Sequence, residues 1–125
     1  MNQNNINTLT EKIIGCAFRV HNTLGCGFLE KVYENALAHE LKKNSLTVAQ
    51  QQSIRVLYDG VSVGDYAADI LVESLVILEL KAAQAIDKIH EAQLLNYLKA
   101  TGLTLGLILN FGQPKLQIRR RVNNL

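Results

Sequence analysis

Three residues stand out for the chemistry their types and spacing allow: Asp69, Glu79 and Lys81. Glu79 and Lys81 lie two apart in a run where five of the six residues from Leu75 to Leu80 are apolar. Such a run reads as a buried central strand, and alternation along it puts both charged side chains on one face. A carboxylate and an ammonium are rarely kept on a core strand without a use. Asp69 stands in the strand-like run just before. Asp69 and Glu79 together are oxygen ligands for a hard cation such as magnesium or manganese. Such an ion keeps several waters and commonly takes only one or two carboxylates. The Leu80 carbonyl is a further candidate ligand. Lys81 beside the ion would orient or help deprotonate an attacking water and offset charge on a phosphate. The competing reading is a structural Lys–carboxylate pair, because ion pairs are commoner than active sites.

Register decides whether Asp69 meets Glu79. A two-residue turn at Glu73-Ser74 pairs Val72 with Leu75 and sets Asp69 opposite Leu78, facing away from Glu79. A three-residue loop, 73–75, pairs Val72 with Val76, so that Asp69 faces Glu79 and Ala67 faces Lys81. The chemistry therefore requires an odd loop or a bulge between these strands.

Two helical stretches offer partners. Glu30 and Glu34 are four apart on one helix face, with Tyr33 between them. A solvated face explains two glutamates equally well. His90, Gln93 and Tyr97 recur at helical spacing on another face, beside a stripe of Leu94, Leu95 and Leu98. That polar stripe suits contact with phosphate or base, whereas His90 alone reads as a capping or surface residue.

The elements that must position these groups follow from local signals. Thr8-Leu9-Thr10-Glu11 has the form of a capping box, which starts an amphipathic helix over residues 8–24 that Gly25 closes. A second helix spans 28–43. The pattern then changes to period two, with a strong hairpin signal at Asp59-Gly60, a second strand over 61–72 bent at Gly64, and a third over 75–82. Asp87 caps a helix over 88–101 that ends at Gly102. Residues 105–110 form a short apolar strand, and residues 116–121 an edge strand carrying charges. The order is α-α-β-β-β-α-β-β.

The 125 residues suit one domain, spanning 1–125. With 48% hydrophobic and 19% charged residues the composition is that of a soluble globular protein. No run is long and apolar enough to span a membrane. The start, Met1 to Asn5, resembles no signal peptide. Cys16 and Cys26 then read as reduced thiols in the cytoplasm. A net charge of +2 permits nucleic-acid binding without arguing for it. The basic cluster of Lys115, Arg119, Arg120 and Arg121 offers phosphate contacts, Arg119 and Arg121 among them, or a plain solvated surface.

Gly27-Phe28-Leu29-Glu30-Lys31-Val32-Tyr33 resembles the GxxExxY signature that names a small bacterial and archaeal protein family. The resemblance runs from about Glu11 to Arg120 and takes in His21, Gly25, Asp69, Glu79-Leu80-Lys81, His90, Gln93, Tyr97 and Asn110-Phe111-Gly112. That family is placed in the PD-(D/E)XK nuclease superfamily. The resemblance implies an α/β (α+β) fold with a restriction-endonuclease-like αβββαβ core, a mixed central sheet flanked by helices, and here an extra N-terminal helix and C-terminal strand. The superfamily's metal-binding Asp falls on Asp69, preceded by Ala68 rather than Pro, and its (D/E)-x-K on Glu79-Leu80-Lys81. Gln93-x-x-x-Tyr97 looks like the Q-x-x-x-Y motif of the RecB-like branch. The acidic residue often added by the first core helix falls on Glu30, which carries the signature, in preference to Glu34 one turn on. The resemblance implies a magnesium- or manganese-dependent nuclease, acting on DNA in preference to RNA. Two rivals stand beside it: a nuclease fold that binds nucleic acid without cutting it, and an interaction subunit that forms a homodimer.

Overall fold

The computed structural model describes residues 3–123. Met1 and Asn2, the first residues of the polar start, lie outside the described residues. Helix α1 spans Gln3–Leu24 and α2 spans Glu30–Lys43. The start of α1 corrects the sequence reading: Thr8 is more than a turn inside the helix and is not its N-cap. Ile6, three residues before Leu9, extends the apolar stripe upstream and packs against the core. The Thr10 hydroxyl donates back to the Ile6 carbonyl at 2.7 Å, a bond made only inside a helix.

Strands β1 (Val48–Tyr58) and β2 (Val61–Val72) form the expected hairpin. Asp59 and Gly60 both have positive φ, 53° and 76°, as a two-residue turn matched to strand twist requires. Val56 pairs with Gly64 but Leu57 with Ser62, so a bulge at Val63 gives the bend expected near Gly64. Strand β3 (Val76–Lys81) pairs antiparallel with β2, and β4 (Leu105–Asn110) pairs parallel with β3. Between them runs α3 (Lys88–Thr101). Strand β5 (Gln117–Val122) closes the sheet antiparallel, giving the order β1-β2-β3-β4-β5.

The mixed five-stranded sheet is packed on both faces. Against α1 and α2 lie Ile70, Val72, Leu78, Leu80, Leu107 and Leu109. Against α3 lie Ile54, Ala68, Ile77 and Ile108, with Leu94 and Leu98 anchoring the helix. Each of those two leucines is fully buried, worth about 2 kcal/mol apiece. The Asp87 side chain accepts the Ile89 N–H at 3.1 Å, and Gly102 adopts the left-handed conformation at the other end, so α3 has the predicted bounds.

The sheet is irregular in one place. In β2, Tyr66 and Ala68 pack on the α3 side, but Ile70 and Val72, of the same parity, pack on the α1/α2 side. In β1, Ile54 and Val48 divide in the same way. Both strands therefore roll over midway. The ladder pairs Gln50 with Ile70 and Gln52 with Ala68 but skips the facing residues Gln51 and Asp69. Gln51 takes φ of 53°, the left-handed conformation that reverses the alternation.

Candidate active site

Strand β3 descends from the loop 73–75, where Glu73 and Ser74 both have positive φ and Val72 pairs with Val76. The loop is thus odd, the register that brings Asp69 level with Glu79. The β2–β3 ladder runs only to Ile70–Leu78. Past that point Asp69 replaces the ladder partner: its Oδ2 accepts the Leu80 N–H at 2.8 Å. The strands part there, and the carboxylates of Asp69 and Glu79 stand together in the fork.

Glu79 is 5% exposed. Burial is the main cause that raises its proton affinity, and the neighbouring Asp69 charge is the second; together they push its pKa up to about 8. Two groups oppose the rise, the Tyr66 hydroxyl and the Lys81 charge. Tyr66 donates to Glu79 Oε1 at 2.7 Å and stacks on Tyr97, with ring centroids 3.5 Å apart and planes 16° off parallel. Burial, then the Glu79 charge, raises the Tyr66 pKa, so its hydroxyl stays protonated as a donor. Lys81 follows Glu79 on the same face of β3. It is half-buried and enters no ion pair among the described residues.

The two glutamates of α2 differ in position. Glu30 is exposed in the first turn, where its charge complements the helix dipole. Glu34 is 4% exposed and reaches β1. Its Oε2 accepts from Lys31 Nζ at 3.1 Å and Gln50 Nε2 at 2.7 Å, and its Oε1 accepts from Gln51 Nε2 at 2.8 Å. Gln51 stands opposite Asp69 at the position that the β1–β2 ladder skips. Among the described residues no group of three or more Asp, Glu, His or Cys converges as a metal site. The donor chemistry of Asp69 and Glu79 nonetheless fits a hard divalent cation. Both donors are carboxylates, and the cost of holding them together is the mutual repulsion that a positive ion relieves.

On α3, His90 Nδ1 accepts the Asp87 N–H at 3.2 Å and so completes the helix cap. Gln93 is exposed. Tyr97, one turn on, is held by Tyr66. Arg119 is exposed on the edge strand, whereas Arg121 is ion-paired with Glu91 of α3. Leu80 buries its side chain among α1 and α2, so only its backbone carbonyl is free to serve as a ligand.

The structure gives parts to three residues to which the sequence assigns no role. Tyr66 is three before Asp69, so strict alternation puts the two on opposite faces; only the roll-over unites them. Gln51 carries no signal at all. Asn110 is fully buried and ties the chain after β3 to the end of β4. Its Oδ1 accepts from Ala83 N and Gly112 N, each at 3.0 Å, and its Nδ2 donates to the Ala83 carbonyl at 3.0 Å and to Gln117 Oε1 at 2.8 Å. Gly112 passes so close that a Cβ there would lie 2.4 Å from Ala83 backbone atoms. The signature residue Tyr33 is likewise buried in the scaffold. It stacks on Phe111 with centroids 4.7 Å apart, donates to the Gly25 carbonyl at 2.6 Å and accepts the Phe28 N–H at 3.2 Å. His21 gains no catalytic role from its position; it bonds the Gln113 carbonyl at 2.8 Å through Nε2.

Comparison with known proteins bears on the assembled site. The family model of the PD-(D/E)XK nuclease superfamily matches residues 7–121. The fold is similar to that in the crystal structure of SSO0001, with a TM-score of 0.56 and 17% sequence identity. The match covers 76% of this chain and 50% of that one, so the chain spans about half the length of the solved protein it matches. No curated protein matches the sequence significantly.

Proposed function

The chain belongs to the PD-(D/E)XK nuclease superfamily, and on that premise we propose that it is a metal-dependent nuclease whose active centre is the fork between β2 and β3. The observation that carries this reading is the buried pair of Asp69 and Glu79 with the Lys81 charge beside it. Asp69 and Glu79 would hold magnesium or manganese, with the Leu80 carbonyl as a further ligand. When bound, the ion supplies Lewis acidity toward water and phosphate. Glu34 is favoured over Glu30 as the acidic residue of the helix, because it is buried and bonded to Gln51, whereas Glu30 is exposed in the first turn.

The residues of the chain then divide the work. Lys81 orients the attacking water and offsets charge gathering on the scissile phosphate. Tyr66 fixes the Glu79 carboxylate through its hydroxyl. Tyr97 braces Tyr66, and Gln93, exposed on the same face of α3, is placed to meet the substrate strand or the triplet. Gln93 and Tyr97 ally the chain with the RecB-like branch, and the Gly27–Tyr33 signature with the GxxExxY family. Arg119, exposed, and His90, half-buried at the cap of α3, are further phosphate contacts, and Arg121 reaches that role only by leaving Glu91. DNA is the preferred substrate by analogy with the superfamily. Residues 1–125 act as one domain, alone or as a homodimer, in the cytoplasm.

The test is direct. The purified protein is incubated with single- and double-stranded DNA and RNA, with magnesium, with manganese and with chelator, beside Asp69→Ala and Lys81→Ala. Cleavage that needs the cation and disappears in both variants is the expected result. Cleavage that survives either substitution removes the fork from the reaction.

A further inference from the structure

A groove of about 660 Å³ lies between the β1–β2 hairpin and the second half of α3. Arg55, Val56 and Leu57 line it from β1; Asn96, Tyr97 and Lys99 line it from α3. Three features of this lining belong together. It holds two cations and no carboxylate. Neither Arg55 nor Lys99 enters an ion pair among the described residues, although Asp65 stands across the ladder from Arg55. It also exposes apolar surface, with Leu57 59% and Val56 37% accessible. The bulge at Val63 of β2 lies across the ladder from this part of β1.

The groove is joined to the fork through two stacked side chains. Tyr97 forms part of its wall, stacks on Tyr66, and Tyr66 holds Glu79. We infer that the groove is the track of a single nucleic-acid strand leading to the carboxylate pair, with Arg55 and Lys99 on its phosphates and Val56, which shares the α3 face of β1 with Ile54, beneath its bases. This inference rests on the nuclease reading of the fork. A duplex shows its flank as phosphate and keeps its base faces stacked inward, so it has no use for the exposed apolar floor. An unpaired strand offers both charge and base faces, the combination that single-strand sites bring together. The ligand class is therefore single-stranded DNA or RNA.

The test separates binding from cutting. A fluorescein-labelled single strand of roughly 12 nucleotides, within the span of known single-strand sites, and a duplex of the same sequence are titrated with protein in chelator, read by fluorescence anisotropy. The parent should bind the single strand at least tenfold more tightly. Arg55→Gln with Lys99→Gln should weaken single-strand binding by about tenfold or more and flatten the salt dependence by about 1.4 in log–log slope, two phosphates' worth. Val56→Ser should weaken binding about fivefold with the salt slope unchanged, because it removes an apolar contact worth about 1 kcal/mol. Circular dichroism checks that each variant is folded. Equal affinity of parent and double variant, or preference for duplex, overturns the groove. If the parent cleaves with magnesium and the double variant cleaves equally well, the groove fails and the fork stands. If binding behaves as described and nothing is cleaved under any condition, the fork fails and the groove stands.

Discussion

Replacing Glu79 with glutamine should stabilise the metal-free protein, by an amount that grows with pH. Glu79 is buried beside the Asp69 charge, and its pKa rises from the ordinary 4.5 to about 8. The folded state thus binds this proton more tightly than the unfolded chain does. The stability it contributes is complete below about pH 4.5 and is lost as pH rises through about 8. At about 1.36 kcal/mol per unit, the loss reaches about 3 kcal/mol at pH 7 and approaches 5 kcal/mol above pH 8. Glutamine has the shape of the protonated acid and never ionises. The variant should therefore match the parent near pH 4 and exceed it by several kcal/mol at pH 9. Urea denaturation in chelator at pH 4, 7 and 9 measures the difference as a change in midpoint at constant slope. A divalent cation should close the gap from the other side, stabilising the parent at pH 7 by mass action and leaving Glu79→Gln unmoved. A difference that does not vary with pH, or a variant less stable than the parent at pH 9, would refute the view that Glu79 is held against its charge.

Two substitutions around Glu79 should act in opposite directions. Asp69→Asn removes the neighbouring charge, lowers the Glu79 pKa and ends the loss of stability at a lower pH. Tyr66→Phe removes the donor that favours the ionised form, raises the pKa further and carries that loss to higher pH, at a cost of about 2 kcal/mol at pH 8. The same denaturation series, extended above pH 9, distinguishes them; a loss that ends at the same pH in both variants would exclude the proposed roles. Away from the pair, Asn110→Ala should cost about 3 kcal/mol at all pH values, since it strands the Ala83 and Gly112 backbone groups it now satisfies. Thermal denaturation in chelator reads that loss, and a drop of less than 1 kcal/mol would mean that water replaces the side chain.

What the sequence made legible was set by short-range signals. Asp87 and Gly102 bound α3 because capping depends on residues within one turn. Asp59-Gly60 marks its hairpin for the same reason. The odd loop at residues 73–75 could be demanded from chemistry but not chosen from its own residues, since Glu73 and Ser74 are ordinary side chains that adopt positive φ only in context. Thr8 shows the converse failure: a sound capping motif was overridden by Ile6, whose packing carries the helix upstream. Glu30 and Glu34 share a helix face by spacing, and only the position of β1 separates a solvated carboxylate from a buried one.

The deepest gap was the roll-over of β1 and β2, and it lies at the site itself. Uninterrupted alternation would send Tyr66 and Asp69 to opposite faces of the sheet. It would give Asp69 an ordinary ladder neighbour in Gln51 and leave Glu79 without its tyrosine. Instead Gln51 accepts a left-handed backbone, at a cost of about 1 kcal/mol, and both strands reverse their faces around it. That reversal releases Asp69 from pairing with β1, so that its carboxylate is available to the Leu80 N–H and to Glu79. The bond from Gln51 to Glu34 then ties the strained residue to the helix that carries the signature. Backbone strain, two crowded carboxylates and a half-buried lysine are each unfavourable for folding, and they meet at one fork. A sequence shaped for stability alone would have placed apolar side chains there, as it does on either side at Ile70 and Leu78. The concentration of cost at one place supports the proposal that the fork is a site of chemistry.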